Sequence, residues 1–401
     1  PRWYSEKTAA RYLQGQDSRP GQWQELLGRL LKDIPQKLEA AAPRAEELQA
    51  APQRVLENLD KRTGISASLI QTFNLCPYQF FMNYLAGASE RPLAADRPDF
   101  QGTLLHRVME LAVRDLLFSL DTAKTDLERE ARRSLWQETL TPSYFRRLYF
   151  KAAEDQGLAW YSGGPMAGGI GERVLLRSAE TLRTLEFLNR EDSFLPGWLE
   201  WSFPQRDAVS LILQADGRDY PARGLIDRID VNPQGRLRLF DYKRTGKAFS
   251  WLDLLDGTDI QLPFYKKAFE SAYPDRTVDS MLFAFAKTDS SLDLGLFSMP
   301  EKDRTPDIRA LEKQEEAWQE GAGAKAADYA MARAVESLQA IHKGRFPARP
   351  AIREKGAGKP CAYCSWRAAC GYDGRLQRSR PLPSGSGEEK AARESILEAE
   401  S

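Results

Sequence analysis

Gly224-Leu-Ile-Asp-Arg-Ile-Asp-Val231, then Asn232-Pro-Gln-Gly235, then Arg236-Leu-Arg-Leu-Phe-Asp-Tyr-Lys243 is the stretch that decides the fold. Branched and aromatic residues fill both flanks, and Asn-Pro-Gln-Gly supplies the residues that reverse a chain. The spacing predicts strands over 223–231 and 236–243 paired as an antiparallel hairpin. Side chains on a strand alternate, so Asp241 and Lys243 share a face with Leu237 and Leu239. Charged groups at the end of an apolar stripe are costly unless paired or bound to a metal. Asp227, on the neighbouring strand, is able to point to the same side. Two carboxylates and an ammonium then converge.

Working outward, Trp198–Phe203 and Val209–Leu213 are predicted strands before the hairpin. Strands over 278–286 and 292–297 are predicted after it. Helices are expected over 66–87, capped by Ser66 or Ser68 and ended by Gly87, and over 102–118. Further helices are expected over 259–272 and 307–342. Residues 119–195 are expected to form a helical insertion interrupted by a glycine-rich loop at 163–169. Residues 1–62 are expected to be a polar helical or linking segment. The domain proper is placed at 63–378. The Pro-, Ser-, Gly- and Glu-rich end, 379–401, is expected to be disordered.

The 401 residues are 42% apolar and 28% charged with a formal net charge of zero, an ordinary composition with enough apolar residues for a sizeable core. Any nucleic-acid surface must therefore come from local segregation of charge. No apolar run approaches a membrane span and the start has no signal-peptide core, so a cytoplasmic chain without membrane contact is expected. No G-x4-G-K-[ST] phosphate loop is present, so the chain is not expected to hydrolyse ATP itself.

There are four cysteines. Cys361, Cys364 and Cys370 lie on one short stretch, where three thiolates are able to face one metal centre. Cys76 lies far upstream in Asn74-Leu-Cys-Pro-Tyr78 and completes a set of four. Zinc and an iron–sulfur cluster both remain open on spacing. Zinc sites more often use two local pairs, and the one-plus-three layout leans to a cluster. Either would pin the C-terminal segment to an N-terminal helix.

The hairpin constellation suits phosphodiester hydrolysis assisted by a divalent ion. Hard oxygen ligands select Mg²⁺ or Mn²⁺, and Lys243 would orient water or stabilise developing charge. Asp-x-Lys alone is also an ordinary surface ion pair. His106 and His342 are the only histidines, and His342 is read as structural. Gln261 and Tyr265 are four apart on one helical face. Glu200 is a candidate further acidic contributor, but it is read as a surface strand position.

The ordered set Cys76, His106, Asp227, Asp241-x-Lys243, Gln261-x3-Tyr265 and Cys361-x2-Cys364-x5-Cys370 resembles the PD-(D/E)XK nuclease superfamily. Within it, the set is similar to the RecB-like branch with an iron–sulfur cluster. That branch includes AddB subunits of bacterial helicase–nucleases and CRISPR-associated iron–sulfur nucleases. The likeness covers about Ile65 to Tyr372.

The resemblance implies an α/β fold of restriction-endonuclease type, a mixed sheet flanked by helices with an iron–sulfur clasp. It implies that His106, Asp227, Asp241 and the Tyr242 carbonyl bind Mg²⁺ or Mn²⁺, and that Lys243 is catalytic with Gln261 and Tyr265 accessory. Cys76, Cys361, Cys364 and Cys370 would hold a [4Fe–4S] cluster. The implied activity is a DNA nuclease, expected to be an exonuclease. It would act on single strands or duplex ends in double-strand break repair and recombination, beside an ATP-dependent helicase subunit or domain. The missing initial Met and the helical start fit a C-terminal piece of such a longer protein.

Nine Lys and Arg residues between Arg345 and Arg380, opposed by Glu354 and Asp373, would neutralise phosphates, with Tyr363 and Trp366 available to stack on bases. Arg129, Arg132, Arg133, Arg146 and Arg147 are further candidates. The competing readings are a catalytically silent DNA-binding subunit and a zinc-stapled interaction module.

Overall fold

The computed structural model of the protein describes residues 57, 59, 64–86, 88, 98–158, 178–179, 181–182, 185–186, 189, 193–205, 211–243, 249–285, 318, 321–353, 360–372 and 379–399. The segment 1–56, the glycine-rich loop at 163–169, the strand expected at 292–297 and the first part of the helix expected from 307 lie outside the described residues.

The centre is a four-stranded mixed sheet. Its strands are β1 (Leu195–Phe203), β4 (Gly224–Val231), β5 (Leu237–Lys243) and β6 (Val278–Phe285), in that order. Between β1 and β4, β2 (Ile212–Ala215) and β3 (Arg218–Pro221) form a separate hairpin. β1 and β5 both pair antiparallel with β4, and β6 runs parallel to β5. The predicted turn is present. The Asn232 side chain accepts from the Gln234 and Arg236 amides, and Gly235 N–H donates to the Asn232 carbonyl, with Gly235 at φ 79°.

Alternation along β5 and β6 divides the molecule into two apolar layers. Leu237, Leu239, Met281 and Phe283 face one core, built with α1 (Ala67–Leu75), α7 (Gln261–Ala272) and α8 (Ala322–His342). Phe240, Tyr242, Leu282 and Ala284 face the other, built by α3 (Pro98–Asp121), α4 (Asp126–Thr139) and α5 (Pro142–Asp155). The two helices that fall in the expected insertion, α4 and α5, thus join α3 in the second covering layer of the sheet.

The helical stretch expected over 66–87 is broken. Ser66 caps α1 by accepting from Leu69 N–H. The run stops at Cys76, whose backbone is extended at φ −161° and ψ 112°. Pro77 disfavours helical geometry in the residue before it. Pro77 then opens α2 (Pro77–Phe80), followed by a π-helical turn over Phe81–Leu85. Gly87 lies outside the described residues.

Past α8 the chain forms the strand β7 (Ala351–Arg353) and the single helical turn α9 (Arg367–Cys370). The expectation of a disordered end is overturned for residues 379–399. Arg380–Leu382 is a strand, β8, parallel to β7, and Ser386–Glu398 is a helix, α10. Ala392 and Ile396 bury its apolar side in the first core. Glu389 accepts from Ser250 Oγ and from the Trp251 and Leu252 amides, capping α6 (Trp251–Leu255) from outside. A polar composition thus conceals a four-residue apolar spacing that the core selects.

A charged network lies fully buried between the sheet and the second layer. Arg228 forks onto Asp230 at 2.6 and 2.8 Å and lies 3.6 Å from Glu186, which also pairs with Arg133 at 3.2 Å. Asn189 donates to Asp230 and accepts from Arg238. Removing one member strands the opposite charge away from water. Asp230→Ala is expected to destabilise by about 3–5 kcal/mol, measured by urea unfolding. An Asp230→Ala protein as stable as the parent would show that water reaches Arg228.

Candidate active site

Arg228 stands opposite Phe240 in the β4–β5 ladder, which brings Asp227 beside Asp241. On the other edge of β4, Leu199 pairs with Arg228 and Trp201 with Ile226, so Glu200 lies across from Asp227. Three carboxylates therefore line up across β1, β4 and β5.

His106, on α3, closes the group. Its Nδ1 is 3.2 Å from Asp227 Oδ1 and its Nε2 is 2.9 Å from the Tyr242 carbonyl oxygen. Asp227 Oδ2 accepts from Tyr242 N–H at 2.5 Å. Lys243 Nζ is 2.6 Å from Asp241 Oδ2 and donates to Gln261 Oε1 at 2.6 Å. Gln261 Nε2 donates to Asp241 Oδ1 at 2.7 Å and reaches the Tyr265 hydroxyl at 2.9 Å. Gln261 opens α7 and Tyr265 lies one turn on, so one helix end places both. His106, Asp227, Asp241, Tyr242, Lys243, Gln261 and Tyr265, all singled out in the sequence, meet at one end of the sheet.

Glu200, read from the sequence as a surface position, lies inside this group. In an unbroken strand Trp198 and Trp201 would face opposite ways. Here both rings pack on Phe269, with centroids 5.2 Å away in each case. Glu200 sits between them at φ 49°, a left-handed conformation that resets the alternation and turns its carboxylate inward. One ligand atom each from His106, Glu200 and Asp227 lies within 4.8 Å of the others, a spacing a metal ion is able to span. Glu200 Oε1 is buried without a hydrogen-bond partner. No residue type announces such a backbone flip.

The electrostatics follow from crowding three acids into a half-dry corner. Burial and the neighbouring Asp227 and Glu110 push the Glu200 carboxyl up to about 7. Burial, then Asp227, pushes Asp241 up as well, against the pull of Lys243 and His106. Burial pushes the Tyr265 phenol up, so it stays protonated and able to donate. Burial works against a charged His106, but Asp227, Asp241 and Glu200 outweigh it and raise its imidazole to about 9.

His106 therefore contributes stability that is complete below its unfolded value near 6.5 and is lost as pH climbs through about 9. In EDTA, the stability gap between the parent and His106→Ala should shrink from pH 6 to pH 10 in urea unfolding curves. A gap that widens over that range would contradict the Asp227 pairing.

A second constellation lies at the broken helix. Cys76, Cys361, Cys364 and Cys370 all line one pocket, with Tyr78, Arg367 and Tyr372, and none is in a disulfide. Burial pushes the Cys361 thiol up, and the Cys76, Cys364 and Cys370 sulfurs push it further, as four sulfurs sharing one small space must. The extended backbone at Cys76 sits at the α1–α2 break. Trp366 Nε1 donates to Asn83, tying the trio's loop to the π-turn.

Two of the basic residues considered for DNA are internal braces. Arg353 holds Asp253 and Asp256, both at 2.8 Å, and Arg380 donates to the Asn74 carbonyl. In the helical layer, Arg133 is buried on Glu186 and Arg132 pairs with Glu128.

This sheet, with a carboxylate-and-lysine centre at the end of an antiparallel hairpin, defines a nuclease class, and the comparison with known families agrees. The model of the PD-(D/E)XK nuclease superfamily matches residues 64–371, and the chain belongs to that superfamily.

Among curated relatives, the chain is similar to the B-type subunit of the ATP-dependent helicase/deoxyribonuclease of Moorella thermoacetica. The two are 26% identical over 368 residues, which cover 79% of this chain and 30% of that protein. The protein of the same name from Carboxydothermus hydrogenoformans is 26% identical over 208 residues, 50% of this chain and 18% of the relative. That from Acetivibrio thermocellus is 29% identical over 216 residues, 52% and 18%. The chain thus spans less than a third of these relatives. Among the described residues, no helix is long and apolar enough to cross a membrane.

Proposed function

We propose that this chain is the nuclease domain of a helicase–nuclease subunit, hydrolysing phosphodiester bonds of DNA with Mg²⁺ or Mn²⁺. The observation that carries the reading is the meeting of His106, Asp227, Asp241 and Lys243 at one end of the β4–β5 hairpin. The names of the relatives support DNA as substrate and an ATP-dependent helicase as partner. Processing of broken DNA ends by exonucleolytic cleavage in the cytoplasm, during repair and recombination, is the setting this implies.

The residues fit a divalent ion. One ligand atom each from His106, Glu200 and Asp227 lies within 4.8 Å of the others, and Glu200 Oε1 is buried without a hydrogen-bond partner. The surplus of carboxylates, crowded enough to hold protons, is the charge balance a cation relieves. His106, Asp227, Asp241 and the Tyr242 carbonyl would hold it, with Glu200 adjoining. When bound, the ion polarises the phosphate and acidifies a water.

The chain's own side chains do the rest. Asp241 and Gln261 fix the Lys243 ammonium in one orientation, ready to meet charge developing on phosphate. Tyr265, whose hydroxyl accepts from Gln261 Nε2, keeps its own proton as a neutral donor beside it. The cysteine pocket, with four thiols and no disulfide, fits a [4Fe–4S] cluster as a clasp.

The test is the release of nucleotides from end-labelled single-stranded and duplex DNA by anaerobically purified protein. Cleavage should require Mg²⁺ or Mn²⁺ and stop in EDTA, and the protein should absorb near 400 nm. Metal-independent cleavage, or none with either ion, would overturn the nuclease reading. A colourless, zinc-containing protein would overturn the cluster.

A further inference from the structure

We infer that Gln71 and Asp259 are positioning residues that set the place of Gln261 in the active site. Gln71 lies on α1, the helix that ends at Cys76. The inference rests on the reading of Gln261 as an active-site residue.

Gln71 Nε2 donates to Asp259 Oδ1 at 2.8 Å, across 188 positions of sequence. The same Asp259 Oδ1 accepts from the Gln261 backbone N–H at 3.3 Å. This contact falls at the start of α7, where helix N–H groups have no partner within the helix and Ile260 offers no side-chain cap. Asp259 thus fixes the first turn of α7 from outside. The Gln261 side chain touches Asp241, Lys243 and Tyr265 together, so its amide has no freedom to swing. A small shift of its backbone breaks three contacts at once.

Further contacts hold the loop before α7 on the same helix. Asn74 Nδ2 donates to the Gly257 carbonyl at 3.1 Å and to Ser337 at 3.0 Å. Gly257 has φ 68°, and a Cβ there would come within 2.6 Å of Asn74 Nδ2, so the loop is pressed against α1. From behind, Arg353 holds Asp253 and Asp256, and the Asp259 N–H donates to the Asp253 carbonyl at 3.2 Å. α1 and the segment before the cysteine trio grip the loop from two sides. Gln71–Asp259 is the link that runs directly from α1 to the Gln261 turn.

The test uses the whole chain, anaerobically purified, with Mn²⁺ and a labelled single-stranded oligonucleotide. Gln71→Ala and Asp259→Ala are each expected to lower kcat about tenfold with KM changed less than about twofold, as for a reacting geometry displaced by a fraction of an ångström. Asp259→Asn, which keeps the acceptor oxygen, should restore most of kcat. Adding Gln71→Ala to Gln261→Ala should cost nothing further. Hydrogen exchange in peptides covering 256–265 should rise in Gln71→Ala.

Unchanged kcat and unchanged exchange in Gln71→Ala would overturn the inference, as would losses that multiply in the double variant. If the parent cleaves no DNA, the nuclease reading fails by itself. The exchange measurement then decides the Gln71–Asp259 support alone: faster exchange upholds it and equal exchange refutes it.

Discussion

Asp241→Ala is expected to lower the rate of DNA hydrolysis by about a thousandfold or more, and Lys243→Ala by about a hundredfold or more, the scale of losing a principal charge stabiliser. Asp241 receives Gln261 Nε2 at 2.7 Å and Lys243 at 2.6 Å, so its removal both subtracts one of the proposed metal ligands and frees the ammonium. Lys243→Arg should not rescue. A planar guanidinium cannot occupy the point position between Asp241 and Gln261.

The effect on stability should depend on pH. The Asp241 carboxyl is held above its unfolded value, so its ionised form weakens the metal-free fold increasingly as pH rises from about 3.8. In EDTA, the melting-temperature gap between the parent and Asp241→Ala should therefore narrow, in favour of the variant, as pH rises from about 4 to 7.5. Loss of activity with a retained melting point separates a catalytic defect from misfolding. Parent-like hydrolysis by both variants would remove the assignment.

Cys76→Ala should produce the second large effect. The four sulfurs bring the α1–α2 break together with a loop near the far end of the chain. A link closing a loop of a hundred residues or more contributes about 4–5 kcal/mol by the entropy of the unfolded chain. Losing it should lower the melting temperature on the order of 10 °C. The absorbance near 400 nm expected of the proposed cluster should vanish together with that stability. Limited proteolysis should then remove the chain after α8. Retained colour with Cys76 absent would mean that the trio recruits its fourth ligand elsewhere.

Much of this was open to inspection in the sequence because its signals are local. Asn232-Pro-Gln-Gly235 fixes a turn, the turn fixes the hairpin, and period two then fixes which side Asp241 and Lys243 occupy. Gln261 and Tyr265 share a helix face for an equally local reason. What escaped reading depends on the backbone departing from its own rule, or on contacts between distant segments. Glu200 turns inward through one left-handed residue. Cys76 interrupts a helix that periodicity alone would carry through. α10 holds its place through Ala392, Ile396 and the Glu389 cap, which composition does not reveal. Arg353 and Arg380 look like DNA ligands in a basic stretch, yet they spend their charge on internal partners.

The buried Arg228–Asp230 pair has a consequence for how this hairpin tolerates change. If β4 slid by a single position along β5, Arg228 would enter the catalytic corner and Asp227 would be driven into the dry helical layer. That alternative would leave charges on the wrong sides of the sheet, which makes it far higher in energy than the native alignment. Insertions are accordingly tolerable at the exposed tip around Gly235, whereas losing one residue between Ile226 and Asp230 would scramble both the interior and the chemistry together.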